Sequence, residues 1–144
     1  MNVLSEVDEK RYGYIAVHDG ARPLVTQNVI SRTIEAAKEF GAAAAGVKVK
    51  DAMKEMDEKG FIAGTLDRSR HILIQTPQVF ESGLIRSAYA AAENHLEGLV
   101  DDCEAVEKLG VKIKIVDSSY DNIKITTVED LSFAGCIFED RMKE

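Results

Sequence analysis

The chain has 144 residues, 45% hydrophobic and 30% charged, proportions of one globular domain with a real core rather than of a disordered chain. Its formal net charge of -7 argues against broad attraction to nucleic acid or to an anionic membrane surface, and no apolar run approaches the ~18 residues of a membrane span. Cys103 and Cys136 form no C-x-x-C pair and no secretory leader is expected, so reduced thiols and a cytoplasmic location are expected.

Strand-like and helix-like segments alternate along the chain, the pattern of an α/β domain with a mainly parallel sheet. After the polar, mixed start "MNVLSEVDEKRYG", the run "YIAVHD" reads as the first strand. Thr26 then caps a helix whose Val29, Ile30, Thr33, Ile34, Ala37 and Phe40 share one face, and Gly41 ends it. "AAAAGVKVK" gives a strand of small residues passing into Val47/Val49 alternation. "DAMKEMDEKGFIAGTLDRS" alternates on both sides of the turn signal "DEKG" and reads as a hairpin. Such a hairpin is awkward inside a doubly wound sheet. Its Met53, Met56, Phe61 and Ile62 can cover either its own domain or a partner chain.

"HILIQTPQVF" predicts a strand ending at Thr76-Pro77, because proline donates no ladder hydrogen bond. A helix follows from about Ser82 to Leu96, with Leu84, Ile85, Ala88, Tyr89 and Ala92 as its buried stripe. A second helix starts near "VDDCEAVEKLG", with Asp101 and Asp102 at its positive end and Gly110 as its stop. "VKIKIV" alternates as a half-buried strand. The last helix runs from Thr127 through Phe138 with Glu129 and Asp130 in its first turn.

In open α/β sheets ligands collect at the carboxyl ends of strands. Asp19 and Arg22 follow the first strand, Thr76 and Gln78 follow "HILIQ", Asp121 and Lys124 follow "VKIKIV", and Arg68 stands at the foot of the hairpin. Two carboxylates and three cations at one edge suit phosphate chemistry: acids hold a divalent metal or sugar hydroxyls, and cations neutralise phosphate oxygens. Each residue also has a plainer reading. Arg22 beside Pro23 suits a surface turn, Asp19 a turn cap, Asp121-Asn122 a turn pair, and Lys124 a solvated side chain. His18 suits a satisfied packing histidine better than a catalyst. No nucleophile-base-acid set and no His/Cys metal cluster is legible, so composition and spacing stop at an anion-binding α/β domain.

Three motifs narrow this. "VHDGARP", "DRSRHILIQTPQVF" and "DNIKITTVEDL" occur in this order and spacing, and over Tyr14 to Phe138 they closely resemble the carboxyl-terminal part of the 2-C-methyl-D-erythritol 4-phosphate cytidylyltransferase family of non-mevalonate isoprenoid synthesis. The resemblance implies a Rossmann-like nucleotidyltransferase fold, incomplete here, occupying residues 1–144 as one partial domain. It also implies a homodimer in which a hairpin arm, residues 45–73, reaches over the partner. In the implied reaction the substrate's 4-phosphate oxygen attacks the α-phosphorus of CTP, with Mg²⁺ present, and pyrophosphate leaves. By similarity Arg68 and Lys124 are catalytic, positioning the methylerythritol phosphate, and Asp19, Arg22, Thr76 and Asp121 bind substrate; positioning and charge stabilisation supply most of such catalysis.

The chain departs from the family in four places. The glycine-rich loop of the type L-A-A-G-x-G-x-R that holds the CTP triphosphate is missing, so the isolated chain is expected to bind CTP poorly and to be inactive alone. Ala52 and Val100 stand where the family carries threonines, and His71-Ile72 replace its Leu-Trp pair. The polar start with Met1 suggests a truncated or split gene, or an incomplete gene model, whose product is the substrate-binding and dimerising half. A ribitol 5-phosphate cytidylyltransferase-like fragment and a noncatalytic dimerisation or binding module are the alternatives.

Overall fold

A computed structural model of the chain describes residues 3–8, 11–92 and 98–143. Four strands form the main sheet: β1 (Tyr14–Val17), β2 (Ala42–Lys48), β5 (Ile72–Glu81) and β6 (Lys114–Asp117), in the order β1-β5-β2-β6. β3 (Met53–Met56) and β4 (Ile62–Leu66) pair only with each other, as a separate two-stranded hairpin. The helices are α1 (Gln27–Phe40), α2 (Ser82–Ala91), α3 (Asp102–Glu107) and α4 (Val128–Arg141).

The sheet is mixed. β1 and β2 both run antiparallel to β5, and β2 runs parallel to β6, so β1, β2 and β6 share one direction and β5 opposes them. The expected parallel character thus holds for strand direction, while only the β2–β6 ladder is itself parallel. The cause is the hairpin. The chain leaves β2 at Lys48 and returns at Ile72, which pairs directly with Lys48. A short connection that brings the chain back to the strand end it left forces the next strand to run backwards.

β5 does not stop at Thr76-Pro77 but continues to Glu81. Proline is tolerated because the ladder with β2 is interrupted there: Gly46 pairs with Ile74 and Ala44 with Gln78, leaving Ala45 opposite Gln75, Thr76 and Pro77 in a bulge. Gln78 also marks the end of the β1 ladder, opposite Val17. The missing N–H of Pro77 therefore falls where neither neighbour requires a donor.

Each face of the sheet has its own core. On one side Ala42, Ala44 and Phe80 pack with Ile85 and Ala88 of α2 and Cys103, Ala105 and Val106 of α3. On the other, Ala43, Val79 and Val116 meet Ala37 of α1. The run of alanines in β2 lets helices approach both faces, and complete burial of Phe80 stabilises the fold by about 1.5–3 kcal/mol. Thr26 caps α1 by accepting from the Val29 N–H, and Gly41 ends it in the left-handed region at φ 83°. α2 ends at Ala91, and the expected continuation toward Leu96 falls on residues 93–97, outside the described residues. α4 begins with a capping box between Thr127 and Asp130, yet none of its residues is buried. Val128, Leu131, Phe133 and Phe138 stay exposed along it, as does Met142 at its C-cap.

Candidate substrate site

The shared direction of β1 and β6 brings their carboxyl ends, and the loops that follow them, to one edge of the sheet. The two loops are tied together by main chain, the Ile125 N–H donating to the Ala21 carbonyl at 2.8 Å. Between them lies a charged cluster. Arg22 Nε donates to Asp19 Oδ2 at 3.1 Å, and Lys124 Nζ approaches the same oxygen at 3.3 Å. The Asp19 main-chain N–H donates to Thr76 Oγ1 of β5 at 3.0 Å. Four of the six residues expected from sequence, Asp19, Arg22, Thr76 and Lys124, are thus joined by direct contacts.

Arg22 is not the surface turn residue its Pro23 neighbour suggests. Its side chain is only 12% exposed, and Nη1 donates to the Asn122 carbonyl at 2.8 Å. The guanidinium is held at two ends, by a carboxylate and by main chain, a fixed fork of donors suited to an anion. Partial burial of Asp19 pushes its carboxyl upward, but hydrogen bonds and charge from Arg22 and Lys124 outweigh it and hold the group below the usual carboxylate range. Lys124 is about half exposed.

Asp121 sits beside the cluster rather than in it. Its carboxylate lies 3.7 Å from Arg141 Nη2 of α4. Arg68 stands apart at the root of the hairpin, donating to the Lys50 carbonyl, in a cavity of about 420 Å³ lined by Lys48, Val49, Lys50, Arg68 and Ser69. Among the described residues no hydrogen bond or ion pair joins Arg68 to Asp19, Arg22 or Lys124. The hairpin root is nonetheless fastened to the Asp121–Lys124 loop: the Tyr120 hydroxyl donates to the Lys48 carbonyl at 2.7 Å, and Lys50 Nζ lies 3.4 Å from the Tyr120 ring centre.

The residue that sequence reasoning missed is Asn122. It is 1% exposed, and its Nδ2 donates to Gln75 Oε1 at 3.0 Å and to the Thr76 carbonyl at 2.9 Å. With Arg22 on its own carbonyl, Asn122 ties the loop after β6 to both the β5 bulge and the β1 turn. Asp-Asn reads as a turn from sequence, and nothing in the local pattern signals that the amide is buried. Gln78, the other polar residue expected near Thr76, turns away, donating to Asp101 Oδ2 at 3.2 Å and accepting from the Cys103 N–H at 3.1 Å at the start of α3.

The cluster can bind and orient an anion or a polyol, but it offers no activated nucleophile. Burial and then the charges of Asp101, Glu107 and Asp102 push the Cys103 thiol well above its ordinary range. Among the described residues no group of three or more His, Cys, Asp or Glu could hold a metal ion. The carboxylate best placed for one, Asp19, already faces two cations. These residues therefore do not by themselves make a Mg²⁺ site.

An α/β sheet with a charged cluster where the carboxyl ends of β1 and β6 meet, and a hairpin projecting from it, has the layout of domains whose ligand contacts come from loops on one edge. The comparisons place it more narrowly. The sequence model of the 2-C-methyl-D-erythritol 4-phosphate cytidylyltransferase family matches residues 1–140. The chain is 50% identical over 135 residues to the enzyme of that name from Caldanaerobacter subterraneus, covering 92% of this chain and 58% of that protein. With the Alkaliphilus metalliredigens enzyme it shares 42% over 140 residues, 97% of this chain and 58% of the relative. Its fold superposes on 4-diphosphocytidyl-2C-methyl-D-erythritol synthase from Anaerococcus prevotii with a TM-score of 0.87 at 32% identity, covering 95% of this chain and 61% of the other. The Thermus thermophilus cytidylyltransferase gives 0.82 at 30%, covering 93% and 64%. The chain belongs to the 2-C-methyl-D-erythritol 4-phosphate cytidylyltransferase family, carries part of its nucleotidyltransferase fold, and spans about three-fifths of the length of these relatives.

Proposed function

We propose that the chain forms the sugar-alcohol phosphate side of an enzyme that transfers CMP from CTP to 2-C-methyl-D-erythritol 4-phosphate with release of pyrophosphate. The observation that carries this reading is the Asp19–Arg22–Thr76–Lys124 cluster at the carboxyl edge of the sheet, inside a chain of this family. Arg22, anchored by the Asn122 carbonyl, and Lys124, free to swing from Asp19, would take the substrate phosphate. The Asp19 carboxylate, held ionised, would accept from the polyol hydroxyls. The substrate's phosphate oxygen then attacks the α-phosphorus of CTP, that phosphorus–oxygen bond forms, and the bond to the pyrophosphate leaving group breaks. Orientation and neutralisation of charge are the contributions these residues make.

CTP and Mg²⁺ belong to this proposal for the chain joined to the remaining portion of a relative. The described residues supply neither a metal-ligand set nor a glycine-rich phosphate loop. Homodimerisation belongs to it as well. Residues 45–73 were expected to form the arm; residues 45–48 and 72–73 lie in β2 and β5, so the projecting part is 49–71. Its Met56, Phe61 and Ile62 are each about 70% exposed, apolar surface suited to a partner subunit that would bring Arg68 to the neighbouring cluster. The open edge of β1 and the exposed apolar side of α4 would face the remaining two-fifths of a full-length protein.

The test is turnover. Join this chain to the remaining portion of the Caldanaerobacter relative and follow CTP-dependent pyrophosphate release with methylerythritol phosphate and, separately, ribitol 5-phosphate. Preference for the first supports the proposal; preference for the second moves the substrate. Absence of turnover with either from a folded protein favours a noncatalytic assembly module, the reading that Ala52 and Val100 support.

A further inference from the structure

We infer that His18 is a positioning residue: its imidazole, with Nε2–H as donor and Nδ1 as acceptor, clamps the turn that carries Asp19 and Arg22 onto β5. The consequence for substrate rests on the function proposed above; the clamp itself rests on hydrogen-bond logic. The Arg22 carbonyl can only accept, and it lies 3.1 Å from His18 Nε2, so Nε2 carries a proton. The Asp19 N–H can only donate, and it lies 3.0 Å from Thr76 Oγ1. That oxygen is in turn 3.0 Å from His18 Nδ1. Thr76 is 8% exposed, so its hydroxyl proton needs an acceptor within the protein, and Nδ1 is the one in contact. Nδ1 is therefore bare.

The result is a directional chain around the turn, from Asp19 N–H to the Thr76 hydroxyl to His18 Nδ1, and from His18 Nε2–H to the Arg22 carbonyl. The opposite tautomer would set two lone pairs against each other at Nε2 and leave the buried Thr76 hydroxyl competing with the Nδ1 proton for the same space. Only one neutral form satisfies all five groups. Because the chain begins at the main chain of Asp19 and ends at that of Arg22, it fixes the backbone from which both ligand-facing side chains project. This explains why an exposed histidine stands between an apolar strand and a charged turn.

Two measurements on this chain test the clamp. Long-range nitrogen–proton NMR of imidazole-labelled protein at pH 8.5, with His18 assigned by loss of its signal in His18→Gln, should show Nε2 protonated and Nδ1 bare. An Nδ1-protonated form, or the averaged mixture of a free imidazole, overturns the inference. Amide exchange at Asp19 should then rise roughly fivefold to tenfold in His18→Ala, the scale of one hydrogen bond, and return toward the original rate in His18→Asn, whose side-chain oxygen can stand in for Nδ1. The Ile30 amide of α1, bonded to the Thr26 carbonyl, should not change in either variant. Equal exchange at Asp19 in all three proteins overturns it. In the full-length protein His18→Ala should raise KM for methylerythritol phosphate and leave KM for CTP unchanged; the reverse pattern contradicts the positioning role. Absence of turnover in the unaltered full-length protein, with both NMR results as expected, refutes the proposed function and leaves the clamp standing.

Discussion

Replacing Asn122 with alanine should be the most damaging small change near the site. The side chain is 1% exposed and its Nδ2 gives two hydrogen bonds, to Gln75 Oε1 at 3.0 Å and to the Thr76 carbonyl at 2.9 Å. The Thr76 carbonyl lies in the β5 bulge, with no ladder partner there to replace the lost donor. Two lost bonds at about 1 kcal/mol each, with part of the desolvation cost of two stranded acceptors at about 1–3 kcal/mol apiece, give a loss of about 2–5 kcal/mol. With a urea slope of about 1–3 kcal/mol/M, the midpoint of equilibrium unfolding should fall by about 1 M or more at unchanged slope. Asn122→Asp sharpens the test. A carboxylate offers only acceptors to Gln75 Oε1 and the Thr76 carbonyl, so at pH 7 this isosteric variant should be at least as unstable as the alanine one. A loss below about 0.5 kcal/mol in both variants, the range of ordinary surface changes, would refute the reasoning that the amide fastens the loop after β6 to the β5 bulge.

Asp19 gives an acid-side test. Its carboxyl is held below the ordinary range, so the native state binds fewer protons than the unfolded one there. Its contribution is present above the unfolded value of about 3.9 and is lost as pH falls through the folded one. The stability gap between the unaltered chain and Asp19→Asn should be open at pH 6 and narrow below about pH 4; a gap independent of pH contradicts the pairing with Arg22 and Lys124. At Gly46 a Cβ would come within 3.0 Å of Ile72 Cγ1 and 3.3 Å of the Leu73 carbonyl, so Gly46→Val should lower stability by about 1–3 kcal/mol, and an unchanged melting temperature would show that this approach is looser. The proposed dimer predicts that changing Met56, Phe61 and Ile62 together to serine leaves the fold intact and yields a monomer in analytical ultracentrifugation where the unaltered protein, joined to the remaining portion of its Caldanaerobacter relative, is a dimer; a dimer in both places the interface elsewhere, and a monomer in both refutes the dimer.

Much of this was legible in the residues themselves, for identifiable reasons. Thr26 and Gly41 bound α1 because capping is local chemistry, and Thr127 opens α4 for the same reason. The hairpin followed from alternation about "DEKG", with Gly60 at φ 84° in its turn. Pro77 misled because proline speaks only about its own N–H. Whether a strand can pass through it depends on what lies opposite, and the β2 bulge supplies a gap that no local pattern reveals. The reversal of β5 was hidden similarly, since direction is set by where the hairpin delivers the chain. In the site, Asp19, Arg22, Thr76 and Lys124 were named from motifs and meet in space. Asp121 turns to Arg141 instead, and Asn122 was passed over because a buried amide and a turn amide look alike in sequence. His18, which suits a packing histidine from sequence, is instead exposed and hydrogen-bonded at both nitrogens.

The central claim, that this edge of the sheet receives a sugar-alcohol phosphate, is tested most directly by titrating the isotope-labelled chain, joined to the remaining portion of its Caldanaerobacter relative, with methylerythritol phosphate and following its amide resonances. Saturable shifts at Asp19, Arg22, Thr76, Asn122 and Lys124, weakened by Lys124→Ala, are the predicted result. Shifts confined to the separate cavity beside Cys103, Val111 and Ile113, or shifts untouched by Lys124→Ala, would contradict it.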